Sequence, residues 1–283
     1  MPKRPFPLLL LLGAAACDPN VVDAVREPAP IEMAEPEPEL TPLQTSLIHR
    51  YSFNGTGSVA IDSNASAHGE IMNTELAGTG SLTLEGGRTL QYVDLPDYII
   101  RGLDDATFEA WLTWSGGGAW QRIFDFGNST GGEDMPVVAT GTTSGTYSGT
   151  SYLFLTANGA ADPARDLPAG MRLAYSQSGV ADEEVCLSGE ALPKNVPTHV
   201  AVVIDSKAGS MTLYQDGVRV NAMDCPLSRP LADVDDLNNW LGRSNFTADV
   251  DLAAHYDEFR IYRAALSAEQ IAKSFKFGPD AEK

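Results

Sequence analysis

Glu109, Arg122 and Asp125 stand close together in an otherwise apolar stretch, and they are the first residues whose types suggest chemistry. They lie in Thr107–Gly127, where Thr-Phe-Glu-Ala-Trp-Leu-Thr-Trp and Trp-Gln-Arg-Ile-Phe-Asp-Phe-Gly flank Ser-Gly-Gly-Gly-Ala. Paired carboxylates roughly 5–10 Å apart are the equipment of glycoside hydrolysis. Glu109 is followed by Ala110 and Trp111, with no second acid on its own strand face. The simpler expectation is an ion pair between Glu109 and Arg122 that ties two strands. Other catalytic patterns are missing from the sequence. There is no Gly-x-Ser-x-Gly elbow. His49, His68, His199 and His255 are scattered, without a His-Glu-x-x-His pair. His49 and His199 sit at strand starts and read as structural histidines. Glu183 and Glu184 are adjacent, so on a strand they point oppositely.

The elements that must hold these residues are strands. The glycine turn inside Thr107–Gly127 predicts a hairpin, with apolar groups on both faces of its strand pair. Similar short runs continue from Ile48–Phe53 to Tyr256–Tyr262. Val200, Val202 and Ile204 alternate on one face, and Asp216-Gly217 forms a tight turn before Val218. A dozen strands parted by turns predict an all-β, two-sheet antiparallel sandwich. Ser267-Ala268-Glu269-Gln270 fits a capping box, so a short C-terminal helix follows, with Ile271 and Phe275 on one face against the sandwich edge. The acidic run Asp233–Asn238 lacks the glycine and terminal glutamate of a calcium loop and reads as solvated. Trp111, Trp114 and Trp240 read as core.

The chain of 283 residues carries 19 basic and 38 acidic residues, a net charge of −19. That balance excludes nucleic acid and anionic membrane surfaces as partners. Residues 1–16 read as a secretory signal: Lys3 and Arg4, then the apolar run Phe6–Leu12, then Ala14-Ala15-Ala16. Residues 17–46 read as an acidic, proline-rich tether that cannot bury enough surface to order itself. The body spans 47–278 and a tail spans 279–283. Cys17 directly after small residues makes the leader similar to a bacterial lipoprotein signal, which implies lipidation of Cys17. The membrane is then reached through that lipid anchor only. With Cys17 lipidated, Cys186 and Cys225 remain as a disulfide pair in an oxidising compartment.

An ordered set of short stretches gives the body its resemblance. It runs through His49-Arg50-Tyr51-Ser52-Phe53, Asp62-Ser63, His68-Gly69, Tyr92-Val93-Asp94-Leu95-Pro96 and the Thr107–Gly127 segment. It continues with Tyr152–Thr156, Thr198–Val202 and Leu213–Gly217. It closes on Trp240-Leu241-Gly242-Arg243-Ser244 and Asp257-Glu258-Phe259-Arg260-Ile261-Tyr262. Together these resemble the laminin-G-like branch of the concanavalin A-like lectin/glucanase superfamily. The resemblance implies a jelly roll of two antiparallel sheets, one of them concave. It also implies one structural Ca²⁺ at the rim, held by Asp62, Asp257 and the backbone carbonyl of His68. In this sequence Asn64-Ala65-Ser66 replaces the glycines that usually follow Asp-Ser. The Glu-x-Asp-x-x-Glu strand of catalytic, laminarinase-type relatives does not occur.

The expected function is therefore a non-catalytic, lipid-anchored module of the cell envelope that recognises a glycan or an envelope protein through rim loops. The long Ser/Thr-rich loop Asn128–Thr150 is the most adaptable of these. Tyr147, Tyr152 and Trp120 are its candidate sugar-stacking residues. Two readings stand beside this one: a diverged glycoside hydrolase or lyase using Glu109, Asp125 or the long loop, and a purely structural envelope lipoprotein.

Overall fold

The computed structural model describes residues 42–133 and 147–281. The expected signal segment, Cys17, nearly all of the expected tether and the middle of the long loop lie outside the described residues. What is described belongs to one compact unit, Leu40–Lys283. Among the described residues, alternating sequence gives seventeen strands, numbered in chain order, and every pairing is antiparallel. Seven form one sheet. Its order is β1 (Leu47–Tyr51), β17 (Asp251–Tyr262), β8 (Ala106–Trp114), β13 (Pro197–Asp205), β14 (Ser210–Gln215) and β15 (Val218–Arg219), with β6 (Leu82–Gly87) also paired to β17. Eight form the other: β12 (Glu184–Leu187), β11 (Gly170–Ser176), β10 (Gly149–Gly159), β9 (Arg122–Ser129), β16 (Asn238–Leu241), β7 (Tyr92–Leu95), β4 (Gly69–Met72) and β3 (Val59–Ala60). β2 (Thr56–Gly57) and β5 (Leu76–Ala77) make a separate ribbon.

The expected hairpin is not one. β8 belongs to the seven-stranded sheet and β9 to the eight-stranded sheet, and Ser115–Gln121 carries the chain between layers. The two runs meet face to face instead of edge to edge. Phe108 of β8 stacks on Phe124 of β9 at 5.2 Å and meets Phe126 edge-on at 5.7 Å, and Phe259 of β17 closes the group. The period-2 pattern fixed which side chains face inward; it could not say which sheet each run joins. The Asp216-Gly217 turn holds: Gln215 pairs with Val218, and both turn residues have positive φ, 50° and 76°.

The Glu109–Arg122 ion pair is overturned for the same reason. Glu109 points to the outer face of the seven-stranded sheet, beneath helix α2 (Ala268–Phe277). There its carboxylate accepts from Tyr262 Oη at 2.8 Å and Ser274 Oγ at 2.7 Å. His199 Nε2 lies 3.3 Å away and Arg260 Nη1 3.8 Å. Arg122 sits in the other layer and pairs with Asp125 and Asp249. The helix has the predicted capping box. It covers the sheet's outer face, not its edge: Ile271 packs on Ala201, Val203, Tyr214 and Tyr262. Helix α1 (Pro42–Ser46) buries Leu43 in the same cluster, so the compact body begins before the expected boundary at Leu47.

Cys186 and Cys225 form a disulfide across 39 residues. Cys186 lies on β12, at the edge of the eight-stranded sheet. The Cys225 carbonyl accepts from Met211 N–H of β14, so the bridge joins the two layers at one end.

The Asp233–Asn238 run is not wholly solvated. Asp236 is fully buried and accepts from Ile100 N–H at 2.9 Å through Oδ2, while its Oδ1 has no hydrogen-bond partner among the described residues. Burial pushes its pKa up to about 6 against the hydrogen bonds from Ile100 and Asn239. Asp236 therefore holds its proton more tightly folded than unfolded, and its contribution to stability falls as pH rises from about 4 to about 6. Asp236→Asn keeps an acceptor for Ile100 and removes the buried charge. It is expected to abolish that slope and raise stability at pH 7 by about 1–3 kcal/mol. Urea denaturation at pH 4.5 and 7 measures both effects.

Candidate functional site

The outer face of the eight-stranded sheet is where the two halves of the molecule differ. Strand register strings one row of side chains across all eight strands: Val185, Ala174, Phe154, Asp125, Trp240, Asp94, Glu70 and Val59. From Val185 to Trp240 the row is buried; Asp94 is half-buried, and Glu70 and Val59 are exposed.

The buried half is filled by the chain itself. Phe246 closes on Tyr152 and Phe154, with ring centres 5.4 and 6.4 Å apart. Trp120, half-buried, packs against the same cluster, with the Arg172 guanidinium 4.8 Å from its ring. Arg122 lies 3.8 Å over Phe154 and donates to Asp125 and Asp249. Asp125 also accepts from the Asn245 backbone at 3.0 Å and the Asn245 side chain at 2.9 Å. Burial raises its pKa against the pull of Arg122 and Asn245. Every oxygen of this carboxylate is engaged, and Glu109 lies in the opposite layer. The two acids singled out in the sequence cannot flank one bond.

The open half forms a depression of about 300 Å³ lined by His68, Glu70, Asp94, Pro96, Asp97 and Glu133, with Leu95, Leu237 and Asn238 completing it. Gly69 lets β4 lie close to β7: a Cβ there would come within 3.0 Å of the Asp94 carbonyl and 2.8 Å of the Leu95 side chain. That close fit sets Glu70 directly opposite Asp94 on the neighbouring strand. Trp240 Nε1 donates to Asp94 Oδ1 at 3.0 Å and fixes that carboxylate. On the other side of this acid pair, Tyr92 and Trp240 pack edge to face at 5.9 Å under Met72 and Tyr147, both half-buried. Arg243 stacks on both rings and donates to Tyr92 Oη at 2.8 Å.

The family model for the concanavalin A-like lectin/glucanases superfamily, in its laminin-G form, matches residues 86–272. The chain belongs to that family. No curated protein matches this laminin-G-type chain in sequence. Its fold is similar to domain 4 of AbnA, a GH43 extracellular arabinanase from Geobacillus stearothermophilus, solved in complex with arabinotriose. The identity is 15%, the TM-score 0.51, and the match covers 81% of this chain and 97% of that domain. It is also similar to part of Trypanosoma rangeli sialidase, at 15% identity and a TM-score of 0.57, covering 84% of this chain. The laminin-G-type chain spans 34% of that sialidase. At these identities the likeness is one of fold.

The expected ligand residues separate. Tyr152 is fully buried between Phe154 and Phe246 and donates to Glu183 at 3.0 Å, so no ring face is left for a sugar. Trp120 rests against Arg172 in the filled half. Tyr147 stands at the end of the long loop, beside the Tyr92–Trp240 pair. Residues 134–146 of that loop lie outside the described residues. Glu70, Asp94, Asp97, Glu133 and Asn238 were not singled out from sequence as a site. The one signal was Val93-Asp94-Leu95, an acid set between two core residues.

The implied calcium set does not fit the residues present. Asp62 Oδ1 accepts from the backbone N–H groups of Arg50, Asn64 and Ala65, and Oδ2 from Ala67 N–H and His49 Nδ1 at 2.8 Å. Burial would raise its pKa, but the His49 bond and the backbone donors outweigh that and hold it below the usual carboxylate range. A hard cation needs those lone pairs. His68 Nδ1 accepts from Asp62 N–H at 3.1 Å, and Asp257 is half-buried on β17. Among the described residues no three His, Cys, Asp or Glu side chains converge as a metal set. Chelator treatment is therefore expected to leave the melting midpoint unchanged; a fall of several degrees, restored by Ca²⁺, would show that the Asp62 loop rearranges around the ion.

Proposed function

We propose that this laminin-G-type body is a non-catalytic glycan-binding module, and that its site is the open depression between β4, β7 and β16. One observation carries the reading. The chain's own aromatic side chains occupy half of the sheet's outer face, while among the described residues the other half leaves a pocket where carboxylates adjoin an aromatic cluster. Carboxylates accept paired hydrogen bonds from sugar hydroxyls, and half-buried rings such as Tyr147 stack on the apolar face of a pyranose. The arabinotriose complex of the similar arabinanase domain supports a saccharide ligand in general. In this reading Cys17 carries lipid, the proline-rich tether holds the module off the membrane, and the protein works at the cell envelope of a bacterium. An envelope protein is the alternative partner.

Hydrolysis is the second reading, and Glu70 opposite Asp94 favours it. Directly opposed strand residues have Cβ atoms about 4.5–5.5 Å apart, so their carboxyl groups can reach the roughly 5 Å separation of a retaining pair. Against it, Glu70 is exposed and lacks the apolar wall that a general acid uses. Calorimetric titration with neutral oligosaccharides tests the first reading. Asp94→Asn is expected to weaken binding about ten- to a hundredfold, the worth of a charge-assisted hydrogen bond, with the saccharide recovered uncleaved. Release of reducing ends by wild type, abolished in Glu70→Gln, would establish the second.

A further inference from the structure

Accepting that the depression is a saccharide site, we infer that it selects sugars bearing a free amino group and rejects anionic ones. The reason lies in what the pocket holds. Among the described residues that line it, four are carboxylates, Glu70, Asp94, Asp97 and Glu133, none is lysine or arginine, and His68 is the sole basic type. Asp94 is tied to Trp240 Nε1, and both Asp94 and Glu133 have further interactions within the protein. The inference therefore rests on the other two. Glu70 and Asp97 are exposed at the rim and free to turn toward a ligand. A ligand seated among these groups trades water for carboxylate oxygens. For a protonated amine that exchange gains charge-assisted hydrogen bonds. For the carboxylate of a sialic or uronic acid it places like charges within a few ångströms, at a loss that low ionic strength enlarges. The net charge of −19 acts in the same direction at longer range. Arg243, the cation of the aromatic cluster, is committed to the Tyr92 and Trp240 rings and to Tyr92 Oη, and Arg101 stacks on Tyr98 without lining the pocket. Neither offers an anion clamp inside the pocket. The site thus differs in kind from one built to clamp a carboxylate with arginine.

The test is a calorimetric titration of the full mature chain with three short saccharides of similar size: a glucosamine disaccharide, its N-acetylated form and sialyllactose. At low salt the amine is expected to bind at least tenfold more tightly than the acetylated sugar, and sialyllactose to show no binding. The preference should shrink at 150 mM salt, about one Debye length of screening at 8 Å. Glu70→Gln combined with Asp97→Asn should bring the amine down to the acetylated sugar. Asp224→Asn, an exposed acid on the loop that carries Cys225, should leave the preference unchanged and so exclude simple ion exchange with an acidic protein. Equal binding of amine and acetylated sugar, or tight binding of sialyllactose, overturns the selectivity and leaves the saccharide site standing. An identical loss of preference in Asp224→Asn also overturns it. Absence of binding by all three removes the site assignment itself.

Discussion

Replacing Arg260 with methionine is expected to destabilise the protein by about 3–5 kcal/mol, the usual cost of leaving buried charge without its partner. Arg260 is fully buried on the outer face of the seven-stranded sheet. Its guanidinium pairs with Glu258, lies 3.8 Å from Glu109 and sits 4.2 Å over the Trp111 ring. It also donates to Ser274 Oγ and to the Gly278 carbonyl, which pins α2 at both its last turn and its end. Glu258 accepts from Arg50 of β1 and from the backbone of Asp280. Burial alone would raise the Glu258 pKa, yet Arg50 and Arg260 together hold it below the usual range. The first strand, the last strand and the C-terminal helix thus share one ionic layer. Removal of Arg260 takes a guanidinium away from buried Glu109 and leaves Glu258 with Arg50 and the Asp280 backbone. Urea denaturation reads the loss. Adding Glu109→Gln to Arg260→Met should recover part of it, because a buried charge that has lost its guanidinium is gone. A loss under about 1 kcal/mol would mean that water reaches this layer, against the full burial of Glu109, Glu258 and Arg260.

The second large effect concerns the disulfide. Reducing Cys186–Cys225, or replacing both residues by alanine, is expected to cost about 4 kcal/mol on the loop-entropy model for a separation of this size. For a body of this length that corresponds to a melting midpoint lower by roughly 8–16 °C. The bridge has leverage because it joins an edge strand of one sheet to a loop bound along β14 of the other. β12 has a single strand neighbour and depends on that tie. A scanning calorimetry trace unmoved by reductant, with both thiols shown free by mass spectrometry, would contradict the expectation.

How much of this was legible in the chain depends on the kind of information each feature needs. Alternation of Phe108, Ala110 and Leu112, or of Val200, Val202 and Ile204, sets which side faces inward and so gives a sandwich directly. The ordered motif set gave the family. The Asp216-Gly217 turn and the Ser267–Gln270 cap are local chemistry, and both are found as expected. Partnership between distant strands is not local. Nothing in Thr107–Gly127 says whether a glycine-rich turn folds a strand back on its neighbour or sends it to the facing layer, and the Glu109–Arg122 pairing failed with that choice. The pocket was invisible for a related reason. Glu70, Asp94, Asp97, Glu133 and Asn238 come from separate stretches, and each alone reads as a solvated strand or loop residue. β4 itself is four residues long, too short for a period to show. Burial of Tyr152 depends on Phe246, almost a hundred residues later, which no pattern around Tyr152 announces.

On the proposed function, the body recognises saccharide at the β4–β7–β16 depression and leaves it chemically intact. An amide NMR titration of the oxidised protein with an amino-sugar oligosaccharide tests both halves at once. Shifts concentrated at residues 68–70, 94–97, 147 and 237–240, with the sugar signals unchanged after prolonged incubation, are the predicted result. Shifts centred on the Trp120, Glu183 and Phe246 region, or the appearance of new anomeric signals from a shortened product, would contradict it.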